Sequence, residues 1–155
     1  MRLKATFTAG PGALVLLFLL AAFATARAEV VKELRFEAFL IWATDADHSP
    51  NSSHKPVGQD IQKKLKDLPL KWANYFQVNH VGIAVPPRGS GRVTLSDKCQ
   101  IEVGDVNGKY VEVSLIGKGE PVLKRTQALP KGELLVLGGN APNSTGWLVV
   151  LKRTE

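Results

Sequence analysis

CQIEVGDVNGKYVEVSLIG, residues 99–117, holds two alternating apolar runs joined at Asn107-Gly108 and reads as a β-hairpin. Asn and Gly tolerate the positive φ that tight turns need. A two-residue loop at Asn107-Gly108 sets Val103 opposite Glu112 and Ile101 opposite Ser114. That turns the two apolar sets to opposite sides, and such a register cannot bury both strands. A three-residue loop of Val106, Asn107 and Gly108 pairs Val103 with Val111, Ile101 with Val113 and Cys99 with Leu115, all on one face. It leaves Glu102 against Glu112 on the wet side. A loop moved on by one residue, Asn107 to Lys109, avoids that like-charge contact. In either register Cys99 points inward.

Around this hairpin, short strands recur with a turn signal about every ten residues. They are expected at Arg92 to Ser96, Gln100 to Gly104, Tyr110 to Ile116, Pro121 to Thr126, Glu133 to Leu137 and Trp147 to Lys152. Leu134 to Leu137 and Trp147 to Leu151 are apolar on both sides and read as central strands or strands under a helix. Gly138 to Gly146 (GGNAPNSTG) between them reads as a long flexible connection, and Pro86 to Gly91 as a loop. Upstream, Glu33 to Ala43 (ELRFEAFLIWA) is a strand whose second half has Phe39 and Ile41 opposite Leu40 and Trp42, so both of its faces are covered there. A further strand runs from about Tyr75 to Val85. The one helix expected is Pro56 to Leu68, with Val57, Ile61, Leu65 and Leu68 along a single stripe, Pro56 in its first turn, and Lys63 and Lys66 on the other side. This basic amphipathic pattern is read as a helix packed on a sheet rather than one lying on a membrane, because the stripe is narrow and lacks large aromatics. The fold class is therefore mainly β: one β-sandwich or partly open β-barrel of about seven or eight antiparallel strands, with one helix.

The N-terminus carries an address. Arg2 and Lys4 precede an unbroken apolar run, Ala13 to Phe23, of signal-peptide length, and Ala26-Arg27-Ala28 places small residues where a signal peptidase reads them. Residues 1–28 are expected to be cleaved, leaving residues 29–155 as a single β-rich domain without a stable membrane anchor. Arg2, Lys4 and Arg27 leave with the signal, which halves the formal net charge of +6. No basic stripe with interleaved aromatics remains to read nucleic acid. The single Cys99 cannot form an internal disulfide and reads as a small core hydrophobe.

Site chemistry has one candidate, the loop Thr44 to Lys55 (TDADHSPNSSHK). Asp45, Asp47, His48 and His54 offer oxygen and imidazole ligands to a divalent metal, although their spacing matches no calcium-loop or helical His-pair template. His80, on a strand without a neighbouring acid or Ser, reads as structural or exposed rather than as a base. Asn51-Ser52-Ser53 and Asn143-Ser144-Thr145 fit the glycosylation pattern of a eukaryotic secretory route.

The succession of segments KPVGQDIQKKLKDL (55–68), LKWANYFQVN (70–79), LSDKCQIEV (95–103), ALPKGELLVLGGN (128–140) and WLVVL (147–151) resembles a group of small secreted bacterial proteins of unknown function. The resemblance implies export, to the periplasm or beyond the cell, and a single β-rich domain. It carries no site residue. Taken together, the expected function is a non-catalytic module that binds an envelope protein or a glycan. The alternatives are a structural subunit of an envelope or secretion assembly, and a small metal-assisted hydrolase built on the 45–54 loop.

Overall fold

A computed structural model describes residues 32–155; the signal read over residues 1–28 lies outside the described residues. In chain order the elements are β1 (Leu34–Thr44), β2 (Lys55–Pro56), α1 (Gln59–Lys66), β3 (Asn74–Val85), β4 (Ser90–Ser96), β5 (Cys99–Asp105), β6 (Tyr110–Gly117), β7 (Glu120–Ala128), β8 (Leu134–Ala141) and β9 (Thr145–Arg153). They form two antiparallel sheets, β2-β3-β1-β9-β8 and β4-β5-β6-β7, stacked as a sandwich that does not close into a barrel. Among the described residues no helix is long and apolar enough to cross a membrane.

Strand β1 sits in the middle of the larger sheet, paired with β3 and β9, and both of its faces are buried. Leu34, Phe36, Ala38 and Leu40 face the smaller sheet and join Ile101, Val103, Val111 and Val113 in one core. Phe39, Ile41 and Ala43 face the other way and join Ile61 and Leu65 of α1, with Trp72, Tyr75, Leu148 and Val150, in a second. The order of layers is helix, five strands, four strands. The two-sided burial expected for the second half of β1 is what places it at the centre.

The β5–β6 hairpin takes the shifted loop. Val103 pairs with Val113, Ile101 with Leu115 and Cys99 with Gly117, and the loop is Asn107, Gly108 and Lys109. Asn107 Oδ1 accepts the amides of Lys109 (3.2 Å) and Tyr110 (2.8 Å), Asp105 Oδ1 accepts the Gly108 amide at 2.5 Å, and Gly108 has φ 77°. The charges explain the choice. In this register Glu102 faces Ser114 and is held by Arg92 of β4 at 2.6 Å, while Glu112 takes Lys124 of β7 at 2.9 Å. The register that sets Val103 against Val111 would put the two carboxylates opposite each other.

Three further expectations are corrected. The helix is shorter than residues 56–68: Pro56 instead pairs with Phe76 at the sheet edge, where a missing N–H costs nothing, and Gly58 begins the helix. Leu68 lies beyond its end and is exposed. Ser90 and Gly91, read as loop, already belong to β4; a Cβ on Gly91 would stand 2.6 Å from the Ala84 carbonyl oxygen, so only glycine lets β4 leave β3 so closely. Gly138 to Gly146 is no long connection. β8 runs on to Ala141 and β9 starts at Thr145, leaving a three-residue turn in which Asn143 and Ser144 have positive φ (61° and 59°). Trp72 seals that turn, its Nε1 donating to the Ser144 carbonyl at 2.7 Å while its ring lies over Gly146.

Helix α1 is tied to the sheet by an ion pair, Asp60 to Lys152 of β9, at 2.6 Å. The hydrogen bond to Lys152 holds the Asp60 carboxyl below its ordinary range, and the same bond raises Lys152. This is one interaction seen from both partners and is counted once. The Asp60 contribution is full above the ordinary carboxylate pKa and is lost as pH falls through the depressed value. The Lys152 contribution is full below the ordinary lysine pKa and is lost as pH rises through the raised one. Because the pair is largely solvated, a double-mutant cycle of Asp60→Asn and Lys152→Met should give a coupling of about 0.2–1 kcal/mol at neutral pH. Denaturant melts should show that coupling flat between about pH 5 and 9 and fading below about pH 4. A coupling that grows on acidification would contradict the pairing.

Candidate functional site: a slot between the two sheets

Two borders of the sandwich are shut. On one side the chain passes directly from β3 to β4, and Asn79 Nδ2 donates to the Leu95 carbonyl at 2.8 Å. At the end where β1 begins, Arg153 Nη1 donates to the carbonyls of Gly108 (2.9 Å) and Leu129 (3.0 Å), bridging the β5–β6 turn to the last strand of the larger sheet. The border between β7 and β8 is open. Strand β7 pairs only with β6, and β8 only with β9, so the two edges face each other across a gap.

Behind that gap lies a cavity of about 780 Å³. This is within the range of small-molecule sites, roughly 300–1,000 Å³. The larger sheet contributes Leu40, Val78, Val149 and Trp147, and the smaller sheet contributes Cys99, Leu115, Val122 and Leu123. Polar groups gather at the turn between β4 and β5 (Ser96, Asp97, Lys98) and at Asn140. The walls are thus apolar and the polar side chains are few.

The rim is unusual for a surface. Val122 is 65% exposed, and Leu123 and Trp147 are each 41% exposed, so three of the large exposed hydrophobic side chains border a single opening. Scattered exposed apolar residues are ordinary, whereas a cluster around a concavity marks a contact surface. The Trp147 ring is braced rather than loose: it meets Trp42 edge to face, with centroids 4.7 Å apart and planes at 67°.

Two adjacent glycines line the β8 side for different reasons. A Cβ on Gly138 would collide with the Trp147 carbonyl and the Leu148 side chain, so glycine is a steric necessity there. A Cβ on Gly139 would meet nothing within 4 Å. Gly139 shares the inner face of its strand with Leu137 and lies opposite Trp147. A missing side chain at that position leaves the space in front of Trp147 empty.

Cys99 lines the cavity and is half-buried, and burial pushes its thiol pKa up. At neutral pH it is a neutral, weakly polar part of the wall. The inward orientation expected of it is therefore realised at the cavity rather than in the fully closed core.

The residues singled out in the 45–54 loop do other things. Asp45 Oδ1 accepts the Ala73 amide at 3.0 Å, and His54 Nδ1 lies 2.7 Å from Ser49 Oγ. Asp47 and His48 are exposed. Among the described residues no three His, Cys, Asp or Glu side chains gather into a group that could hold a metal ion. His80 is stacked flat on Phe39, with centroids 4.4 Å apart, and its Nε2 lies 3.5 Å from Glu37 Oε1. It stands on the helix-covered face, across the sheet from the slot.

The two glycines give a direct check of this geometry. Gly138→Ala should lower stability by about 1–3 kcal/mol, because the backbone of β9 must move to admit the methyl group. Gly139→Ala should change it by less than about 1 kcal/mol, the strand being able to carry a side chain there. Thermal melts of the two variants beside the parent decide it, and equal losses would mean that Gly139 does not face open space. Comparisons with protein-family models, curated proteins and solved structures find no match to the chain, so a reading of the slot rests on its own residues.

Proposed function

We propose that this chain is an exported, non-catalytic binding module of the bacterial envelope or extracellular space, and that it takes a ligand into the slot between β7 and β8. The observation that carries the reading is the clustering of Val122, Leu123 and Trp147 around an apolar cavity in front of a bare Gly139. Leaving such side chains in water forgoes roughly 1.5–3 kcal/mol each relative to full burial, and a ligand that covers them recovers part of it. Export is supported by the signal-like segment at residues 13–28.

Glycan binding, the expectation drawn from the strand pattern, has one observation in its favour. Trp147 is half-exposed and lines the same cavity as Ser96 and Asp97, an aromatic face in a site that also holds hydrogen-bonding groups. The depth and apolar lining of the cavity favour an apolar body over a polyhydroxylated one.

Titration of the purified protein with N-phenyl-1-naphthylamine tests the reading. The dye should brighten on saturable, one-to-one binding and should slow alkylation of Cys99. Gly139→Leu should weaken binding about tenfold or more without lowering the melting temperature. An absence of saturable dye binding, with Cys99 alkylation unaffected, would remove the slot as a site. N-terminal sequencing of protein recovered from the periplasm or medium of a bacterial host should begin at Glu29; recovery only with residues 1–28 attached would overturn the cleaved-signal reading.

A further inference from the structure

We propose that the ligand of the slot is a single-chain anionic amphiphile, a hydrocarbon chain ending in a carboxylate, with the chain inside and the head at Lys98. The inference rests on the slot being the binding seat, and it adds the chemical class of what enters.

The lining is divided by polarity along its depth. Leu40, Val78, Leu115 and Val149 offer no hydrogen bond, and Cys99 beside them stays neutral. A polar body inside would lose its water and gain no partner there. The charged side chains of the lining, Asp97 and Lys98, both stand on the exposed β4–β5 turn. A molecule that satisfies both zones is apolar over most of its length and polar at one end.

The sign of the head follows from the cations near the mouth. Lys98 makes no ion pair among the described residues, and the turn carrying Lys118 is joined to it by a backbone hydrogen bond, Lys118 N to the Lys98 carbonyl, at 3.0 Å. Arg125, also without an ion pair among the described residues, occupies the inward-facing register of β7 opposite Val113, two positions from Leu123 of the rim. Asp97 is the one acid in the lining, and Glu120 lies at the start of the same edge strand. Cations outnumber acids, and Lys98 supplies three donors on a flexible stem.

An added protein strand is the other occupant an open edge invites. Strand β7 is poorly suited to it. Pro121 lacks an amide donor, and Lys124 and Arg125 set two adjacent cations on the edge, both devices that discourage strand pairing.

The experiment compares three probes of equal chain length, dodecanoate, dodecanol and dodecyltrimethylammonium, each below its micelle concentration. Displacement of N-phenyl-1-naphthylamine and protection of Cys99 from alkylation are read for each. Dodecanoate should bind about tenfold more tightly than the other two, the size expected for one charged hydrogen bond. Lys98→Glu, an exposed change on a turn, should abolish or reverse the preference for dodecanoate over dodecanol, and an unchanged preference would overturn Lys98 as the partner of the head. Dye binding with no preference for the carboxylate, or with preference for the ammonium, would overturn the anionic head while leaving the slot as the seat. If the dye and all three probes fail to bind, the seat itself fails. Dye displaced by an extended apolar peptide but by none of the three probes would assign the slot to a protein strand.

Discussion

Everything in this fold depends on one strand being buried on both faces. Burying β1 on one side only would need a single apolar layer, and the alternation Leu34, Phe36, Ala38, Leu40 would suffice for it. From Phe39 onward the intervening positions are apolar too, and this second set needs its own cover. Helix α1 supplies it with only two buried residues of its own, Ile61 and Leu65, so Trp72 and Tyr75 fill the remaining width. Tyr75 can be buried because its hydroxyl donates to the Trp72 carbonyl at 2.8 Å. The same two residues lead into β3, so the cover and the neighbouring strand are placed together. Trp72 also closes the β8–β9 turn, which couples the helix-side core to the end of the sheet where the slot opens.

The slot lies where the inner face changes character. Near the β8–β9 turn the register brings Trp42, Trp147 and Gly139 side by side on that face instead of aliphatic side chains. The smaller sheet is fixed at its other end by the Arg153 bridge and at its β4 side by the passage from β3. Its free edge, β7, has nothing to pair with and stays exposed along nearly its whole length. Two fixed borders and an unpaired edge strand make an opening there a consequence of the topology.

Much of this fold was legible in residue patterns because burial on a pleated strand repeats every two residues. The two-sided apolar half of β1, the strand from Tyr75 to Val85, and the succession of short strands after Arg92 all carry that period. What escaped were features decided across the sheet. The hairpin offered two registers, the shifted one among them, and the choice between them is settled by Arg92 and Lys124, which lie outside the hairpin and pair with Glu102 and Glu112. Pro56 could be read as a helix start only while its partner Phe76 was unknown. The run Gly138 to Ala141 has loop composition, yet Gly138 is there because β9 passes too close for a side chain. The 45–54 loop and the slot are built in different ways. The Asp and His residues of the 45–54 loop form a dense segment, but at Asp45 and His54 the side chains bond to nearby chain, whereas the slot draws its lining from eight strands, with residues running from Leu40 to Val149.

Gly139 separates a functional reading of the slot from a purely structural one. If the opening were only an unavoidable packing defect, the residues around it would be as large as the backbone permits, since each added methylene buried there would contribute about 0.8 kcal/mol. Gly138 meets that expectation, because no larger residue fits. Gly139 does not: open space surrounds its missing Cβ, its φ is not in the left-handed region, and a Leu or Val would cover Trp147 and narrow the gap toward β7. The backbone does not require a glycine at this position. Its absence of a side chain leaves open the volume in front of Trp147.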